Sequence, residues 1–154
     1  MTKRSIPVLL CLLALFVFLG TAAQKGDIVK KQILTDKAPK ASGPISQGIG
    51  AGGFVFCSGQ LPVDPATGKI VPGTIEDQTR QVLKNLSAVL EAGGSSLDNV
   101  VKCTVLMTDL TEFQAMNKVY AEFFKAPCPA RATFQIGALA LGAKIEIECI
   151  AIKP

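Results

Sequence analysis

Two stretches of this chain repeat apolar residues at the three- and four-residue spacing of a helix face, and β-rich runs flank both. In the first, Ile75, Thr79, Val82, Leu83, Leu86, Val89 and Leu90 share one side. Thr74 stands before it as an N-cap, Glu76 and Asp77 suit its positive end, and Gly93-Gly94 ends it. In the second, Phe113, Met116, Val119, Tyr120 and Phe123 form the stripe. This helix is expected from about Thr111 to Phe124, with Thr111 and Gln114 as a capping box. A helix with one apolar face needs an apolar surface to cover it. The runs 54–57, 100–108, 132–138 and 144–152 can supply that surface as strands. The last alternates sharply: Ile145, Ile147, Cys149 and Ala151 face one way, and Lys144, Glu146, Glu148, Ile150 and Ile152 the other. The order of strands, helix, strand, helix, strands predicts an α+β domain: a mixed sheet with both helices packed on one face. Ile33-Leu34 reads as an edge strand, residues 48–53 as a strand end with a hairpin turn, and residues 62–73 as a loop.

The start of the chain reads differently. Residues 1–4 are short and basic, residues 6–19 are apolar and uncharged, and Gly20-Thr21-Ala22-Ala23 precede polar Gln24. This is the three-part pattern of an export signal, with the cut expected after Ala23. The apolar run is shorter than the ~20 residues that span a bilayer; an uncleaved anchor is the alternative. A lipid-carrying role for Cys11 is disfavoured, because it lies inside the apolar run behind Leu10. The expected organisation is therefore a signal peptide at 1–23 and one domain at 24–154, periplasmic or secreted and off the membrane once cut. Without Lys3 and Arg4 the basic residues fall from 16 to 14 against 12 acids, and the net charge from +4 to +2. No basic stripe remains, so no nucleic-acid partner is expected.

The chain has no histidine. That excludes Ser-His-Asp and Cys-His catalysis and HExxH zinc sites. No GxxxxGK[ST] phosphate loop occurs. Cys57, Cys103, Cys128 and Cys149 are widely spaced, without a CxxC. Export would permit disulfides, but three of the four sit in strand-like runs, and buried thiols are the expectation. Chemistry is left to carboxylates, arginine, lysine, hydroxyls, thiols and backbone groups.

Three places could carry it. Arg131 stands where a proline-bounded loop enters a strand, and its planar fork of donors matches a carboxylate. A solvated arginine or a structural ion pair is the other reading. Glu146 and Glu148 share a strand face about 7 Å apart, and paired carboxylates can do acid–base work. A solvated charged stripe is the alternative, but Ile150 and Ile152 on the same face indicate that it meets something, such as another subunit. Ser58-Gly59 ends a buried strand, where a glycine lets backbone approach a ligand or simply turns the chain.

Taken in order, several segments resemble the Rid/YjgF family of enamine/imine deaminases. They are Ala38-Pro39 with Gly43-Pro44-Ile45-Ser46-Gln47, then Phe56-Cys57-Ser58-Gly59-Gln60-Leu61-Pro62 and Asp64-Pro65-Ala66-Thr67-Gly68. Gln78-Thr79-Arg80-Gln81, Val101-Lys102-Cys103-Thr104-Val105, Asn117-Lys118-Val119-Tyr120, Pro129-Ala130-Arg131-Ala132-Thr133 and Ile145-Glu146-Ile147-Glu148 follow. The resemblance covers about residue 30 onward. It implies a chorismate-mutase-like α+β fold and a homotrimer with ligand clefts between subunits. It also implies cofactor-free hydrolysis of 2-enamine/2-imine acids to 2-keto acids and ammonia. On it, Arg131 binds the substrate carboxylate and Glu146 serves the attacking water. Ser58, Gly59, Thr133 and Asn117 fall on cleft positions, with the backbone of Thr133 touching the ligand. Ile45 stands where the family commonly has an aromatic residue, which removes a hydroxyl and a ring wall; Ala140 replaces a common proline. Two further readings attach to the same residues: a non-catalytic, small-carboxylate-binding or chaperone-like trimer, and an RNA-cleaving translation inhibitor. The lack of histidine and the small net charge weigh against the last.

Overall fold

The computed structural model describes residues 29–154; the expected export segment, residues 1–23, lies outside the described residues. The strands are β1 (Lys31–Ile33), β2 (Gly48–Ala51), β3 (Phe54–Gln60), β4 (Val63–Asp64), β5 (Lys69–Ile70), β6 (Val100–Met107), β7 (Ala130–Gln135) and β8 (Ile145–Ile152). The helices are α1 (Ile75–Ala92) and α2 (Phe113–Phe123). Six strands form one sheet in the order β1-β2-β3-β8-β6-β7, in which only β6 and β7 run parallel. Both helices lie on one face, as the sequence pattern predicts, and the architecture is α+β.

The stripe of α1 accounts for its place. Val82, Leu83, Leu86, Val89 and Leu90 are wholly buried, against Val55, Cys149 and Ala151 of the sheet among others. Each such aliphatic side chain contributes about 1.5–3 kcal/mol on burial. The helix starts where expected: Thr74 Oγ1 accepts from the Asp77 backbone N–H at 3.4 Å, and the Asp77 carboxylate accepts from the Thr74 N–H at 2.9 Å. The alternation in β8 also holds, with Ile145, Ile147, Cys149 and Ala151 buried beneath the helices. On the opposite, open face Phe54, Phe56 and Ile152 are exposed.

Three local expectations are corrected. The box between Thr111 and Gln114 does not form. Asp109 lies two residues earlier, and its shorter side chain accepts from the Thr111 N–H at 2.8 Å and the hydroxyl at 2.7 Å, closing a 3-10 turn (Leu110–Glu112) ahead of α2. Residues 62–73 are not only loop: β4 and β5 pair as a small hairpin, its turn held by the Asp64 carboxylate on the Ala66 N–H and the Thr67 hydroxyl. Buried Asn85 of α1 ties this hairpin down by donating to the carbonyls of Leu61 and Val63. Finally, β7 begins and ends earlier than 132–138, because its pairing with β6 starts at Lys102 opposite Ala130 and stops at Met107 opposite Gln135.

Cys57, Cys149 and Cys103 lie directly opposite one another across β3, β8 and β6, all buried as free thiols, while Cys128 is exposed. Arg131 is the next residue in that row, opposite Cys103. Among the described residues no helix is long and apolar enough to cross a membrane.

Candidate active site

The pairing of β3 with β8 slips by one residue. Cys57 lies opposite Cys149 but Gln60 opposite Ile147, so Ser58 and Gly59 form a bulge. A bulge bends its strand and re-aims what lies beside it. The Glu146 side chain comes up against it from β8. A Cβ built on Gly59 would sit 2.8 Å from the Glu146 Cδ and closer still to Oε1, so the carboxylate occupies the room that a side chain would need. Burial, and then the charge of Glu148, push the Glu146 carboxyl above its ordinary pKa. Its cross-strand neighbour Leu106 and the next residue in that row, Phe134, give it an apolar flank. Glu148 itself is exposed.

Ser58 ties the bulge to the loop that carries Ile45. Its hydroxyl donates to the Ser46 carbonyl at 2.6 Å, and its N–H to the Gln47 carbonyl at 3.1 Å. Ile45 is 57% exposed. Gln47, which sequence reasoning did not single out, fixes this loop. Its buried amide accepts from the Thr35 N–H and donates to the carbonyls of Thr35 and Pro39, with Ala38 slightly farther. In the sequence it stands at the end of the Gly43-Pro44-Ile45-Ser46-Gln47 segment, ahead of a glycine-rich strand, with no role attached to it.

Arg131 belongs to a different cluster. Residues paired directly across a sheet share a face. Arg131 opposes Cys103 and so points to the helix side, whereas Glu146 opposes Leu106 on the open side. The guanidinium carbon lies over the Tyr120 ring at 4.5 Å from its centroid and over the Phe113 ring at 5.5 Å. Arg131 is half-buried, and among the described residues the ion pairs are Arg80–Glu122 and Lys144–Glu112, so it has no carboxylate partner. The structural ion pair is thereby set aside, and the donor fork is uncommitted. Asn117 falls four residues after Phe113 and three before Tyr120, on the same stripe of α2. Thr133 is two residues beyond Arg131 on the same strand face, opposite Val105.

One chain therefore presents two half-sites. Ser58, Gly59 and Glu146, beside the Ile45 loop, form a carboxylate half on the open side. Arg131, Thr133 and Asn117 form a cationic half on the helix side. The sequence reading joined Arg131 to Glu146; within a single chain the structure does not bring them together. Among the described residues no cluster of three or more acidic or cysteine side chains is gathered to hold a metal ion.

This α+β sheet with two helices on one face, a strand-entry arginine unpaired among the described residues and a carboxylate seated on a glycine bulge together define a protein of the chorismate-mutase-like class. The family model described as Endoribonuclease L-PSP matches residues 35–153, and the chain belongs to that family, the Rid/YjgF family. Reactive Intermediate Deaminase A, chloroplastic, of Arabidopsis thaliana is 48% identical over 134 residues, 87% of this chain and 72% of the relative. The 2-iminobutanoate/2-iminopropanoate deaminase of Mus musculus is 43% identical over 127 residues, 82% of this chain and 94% of the relative. Among solved structures, E. coli TdcF with bound serine superposes with a TM-score of 0.77 at 43% identity, covering 80% of this chain and 99% of that one.

Proposed function

We propose that this protein hydrolyses small 2-enamine/2-imine acids to 2-keto acids and ammonia, in clefts formed between subunits of a homotrimer. The observation that carries the proposal is the Arg131 guanidinium, half-buried on aromatic rings with no carboxylate partner among the described residues. Such a fork takes up a substrate carboxylate in two charge-assisted hydrogen bonds. The deaminase names of the Arabidopsis and mouse relatives, and the serine bound in the E. coli relative, agree with a small carboxylate at this site.

Glu146 supplies the second function. Its raised pKa brings the carboxylate closer to working pH, which makes it a better general base. In the proposed step ionised Glu146 takes a proton from water as the oxygen bonds to the imine carbon. The proton passes to the nitrogen to give the carbinolamine. Its hydroxyl proton then moves through the same carboxylate to the amine, the carbonyl forms as the C–N bond breaks, and ammonia and the keto acid leave. The step draws on no cofactor. The two half-sites meet when the cationic half of one copy faces the carboxylate half of its neighbour. The exposed Phe54, Phe56 and Ile152 of the open face supply an apolar surface for that contact. Residues 1–23 are read as a signal that places the enzyme outside the cytoplasm.

One observation favours a second reading. Ile45, exposed and without a ring, leaves one cleft wall open, which suits carboxylate binding without turnover. Ammonia release from freshly generated 2-iminopropanoate decides between them. The expected result is turnover that falls about 100-fold or more in Arg131→Ala, the loss of two hydrogen bonds to a charged group. Binding of the keto acid without turnover would establish the second reading, and full activity in Arg131→Ala would overturn the role of the arginine.

A further inference from the structure

An arginine that binds an incoming carboxylate must be held in place by something that does not compete for the same donors. An acidic partner would fix its orientation but occupy the fork. We infer that Tyr120, assisted by Phe113, is the positioning residue for Arg131: the aromatic face of α2 holds the guanidinium and leaves its N–H groups for the ligand. This inference rests on the carboxylate-binding reading of Arg131.

The distances fit. Both rings lie within about 6 Å of the cation, the range in which a ring face attracts it, and the attraction strengthens when water is excluded. The platform is rigid. Tyr120 is 5% exposed, and its ring packs against that of Phe124 at 4.4 Å between centroids. From the strand side, Cys103 opposes Arg131 and offers a thiol, which carries no charge to compete. Burial pushes this thiol further from ionisation. The Tyr120 hydroxyl is buried beside Cys103 without a well-formed hydrogen bond, so the ring rather than the hydroxyl is what the fold uses.

The chain has one tyrosine and no tryptophan, so tyrosine emission comes from this platform alone. Propanoate, a carboxylate transparent in the near ultraviolet, is the probe. In the wild-type protein, saturable propanoate binding is expected to change the tyrosine emission, because it neutralises the cation over the ring. Arg131→Ala is expected to abolish the change. Calorimetric propanoate binding then ranks the platform variants. Tyr120→Phe keeps the ring, and its affinity is expected to stay within about twofold of wild type. Tyr120→Leu is expected to weaken binding about tenfold, and Phe113→Leu about threefold, in keeping with the longer distance. In imine hydrolysis the same factors are expected in KM, with kcat nearly unchanged.

Binding unchanged in both leucine variants overturns the inference, as does Tyr120→Phe weakening binding as much as Tyr120→Leu. If Tyr120→Leu does not fold, Phe113→Leu decides: weakened binding supports the platform and unchanged binding overturns it. The two levels separate cleanly. Arg131→Ala that binds propanoate as well as wild type removes the arginine reading, and this inference with it. Loss of binding in Arg131→Ala with intact binding in the leucine variants removes only the platform.

Discussion

Gly59 has no side chain, and the Glu146 carboxylate stands where one would be. Gly59→Ala is therefore expected to leave the sheet intact and displace the carboxylate. Turnover should fall by up to about 10²–10⁴-fold, the worth of a general base, with keto-acid binding retained; steady-state kinetics beside calorimetry check it. The pH dependence follows from the same residue. Glu146 must be ionised to accept a proton, and burial and Glu148 raise its pKa. The acid limb of the rate profile is expected above the ordinary carboxylate range, and Glu148→Gln should move it to lower pH. Stability carries the opposite sign. A carboxyl whose pKa is raised in the folded state favours folding while protonated, and that contribution is lost as pH rises through the folded pKa. Glu146→Gln is thus expected to raise the unfolding midpoint at neutral pH and leave it unchanged in acid. Both glutamates and the glycine were legible in the sequence, but their contact was not. It depends on a one-residue slip between strands distant in the chain, and no local spacing records such a slip.

At the scale of elements, what was legible is what is encoded locally. α1 has its stripe, its cap and its stop within one window, and all three are found in place. Thr74→Ala is expected to cost about 1 kcal/mol in denaturant unfolding, the usual worth of an N-cap hydroxyl. Its removal also takes away a hydrogen bond that lowers the Asp77 pKa, so the deficit should shrink as Asp77 is protonated in acid. The start of α2 was misread because two capping arrangements competed, and the side chain of Asp109 closed the turn first. The hairpin of β4 and β5 went unseen because two-residue strands have no period to detect. Asp64 and the buried amide of Asn85 hold it instead.

At the scale of the whole molecule, the face on which a residue lies depends on strand order as much as on sequence parity. Arg131 and Glu146 both read as site residues, yet the order β8-β6-β7 and its registers send them to opposite faces. This division makes the proposed trimer testable without a structure of it. Arg131→Ala and Glu146→Gln proteins should each be inactive alone. Unfolded together in equal amounts and refolded, they should regain about a quarter of wild-type activity, because random assembly pairs an intact arginine with a neighbour's intact glutamate that often. No recovery is expected if both residues serve from one chain. The sheet order has a consequence of another kind. β8 sits between β3 and β6, so the β1-β2-β3 half and the β6-β7 half of the sheet cannot join until residues 145–152 have been made. The centre of the sheet is thus filled by a strand that the ribosome delivers late, and the nascent chain stays open while the rest is synthesised. For a protein exported as proposed, a sheet whose halves join last leaves the chain less folded when a translocation channel would thread it.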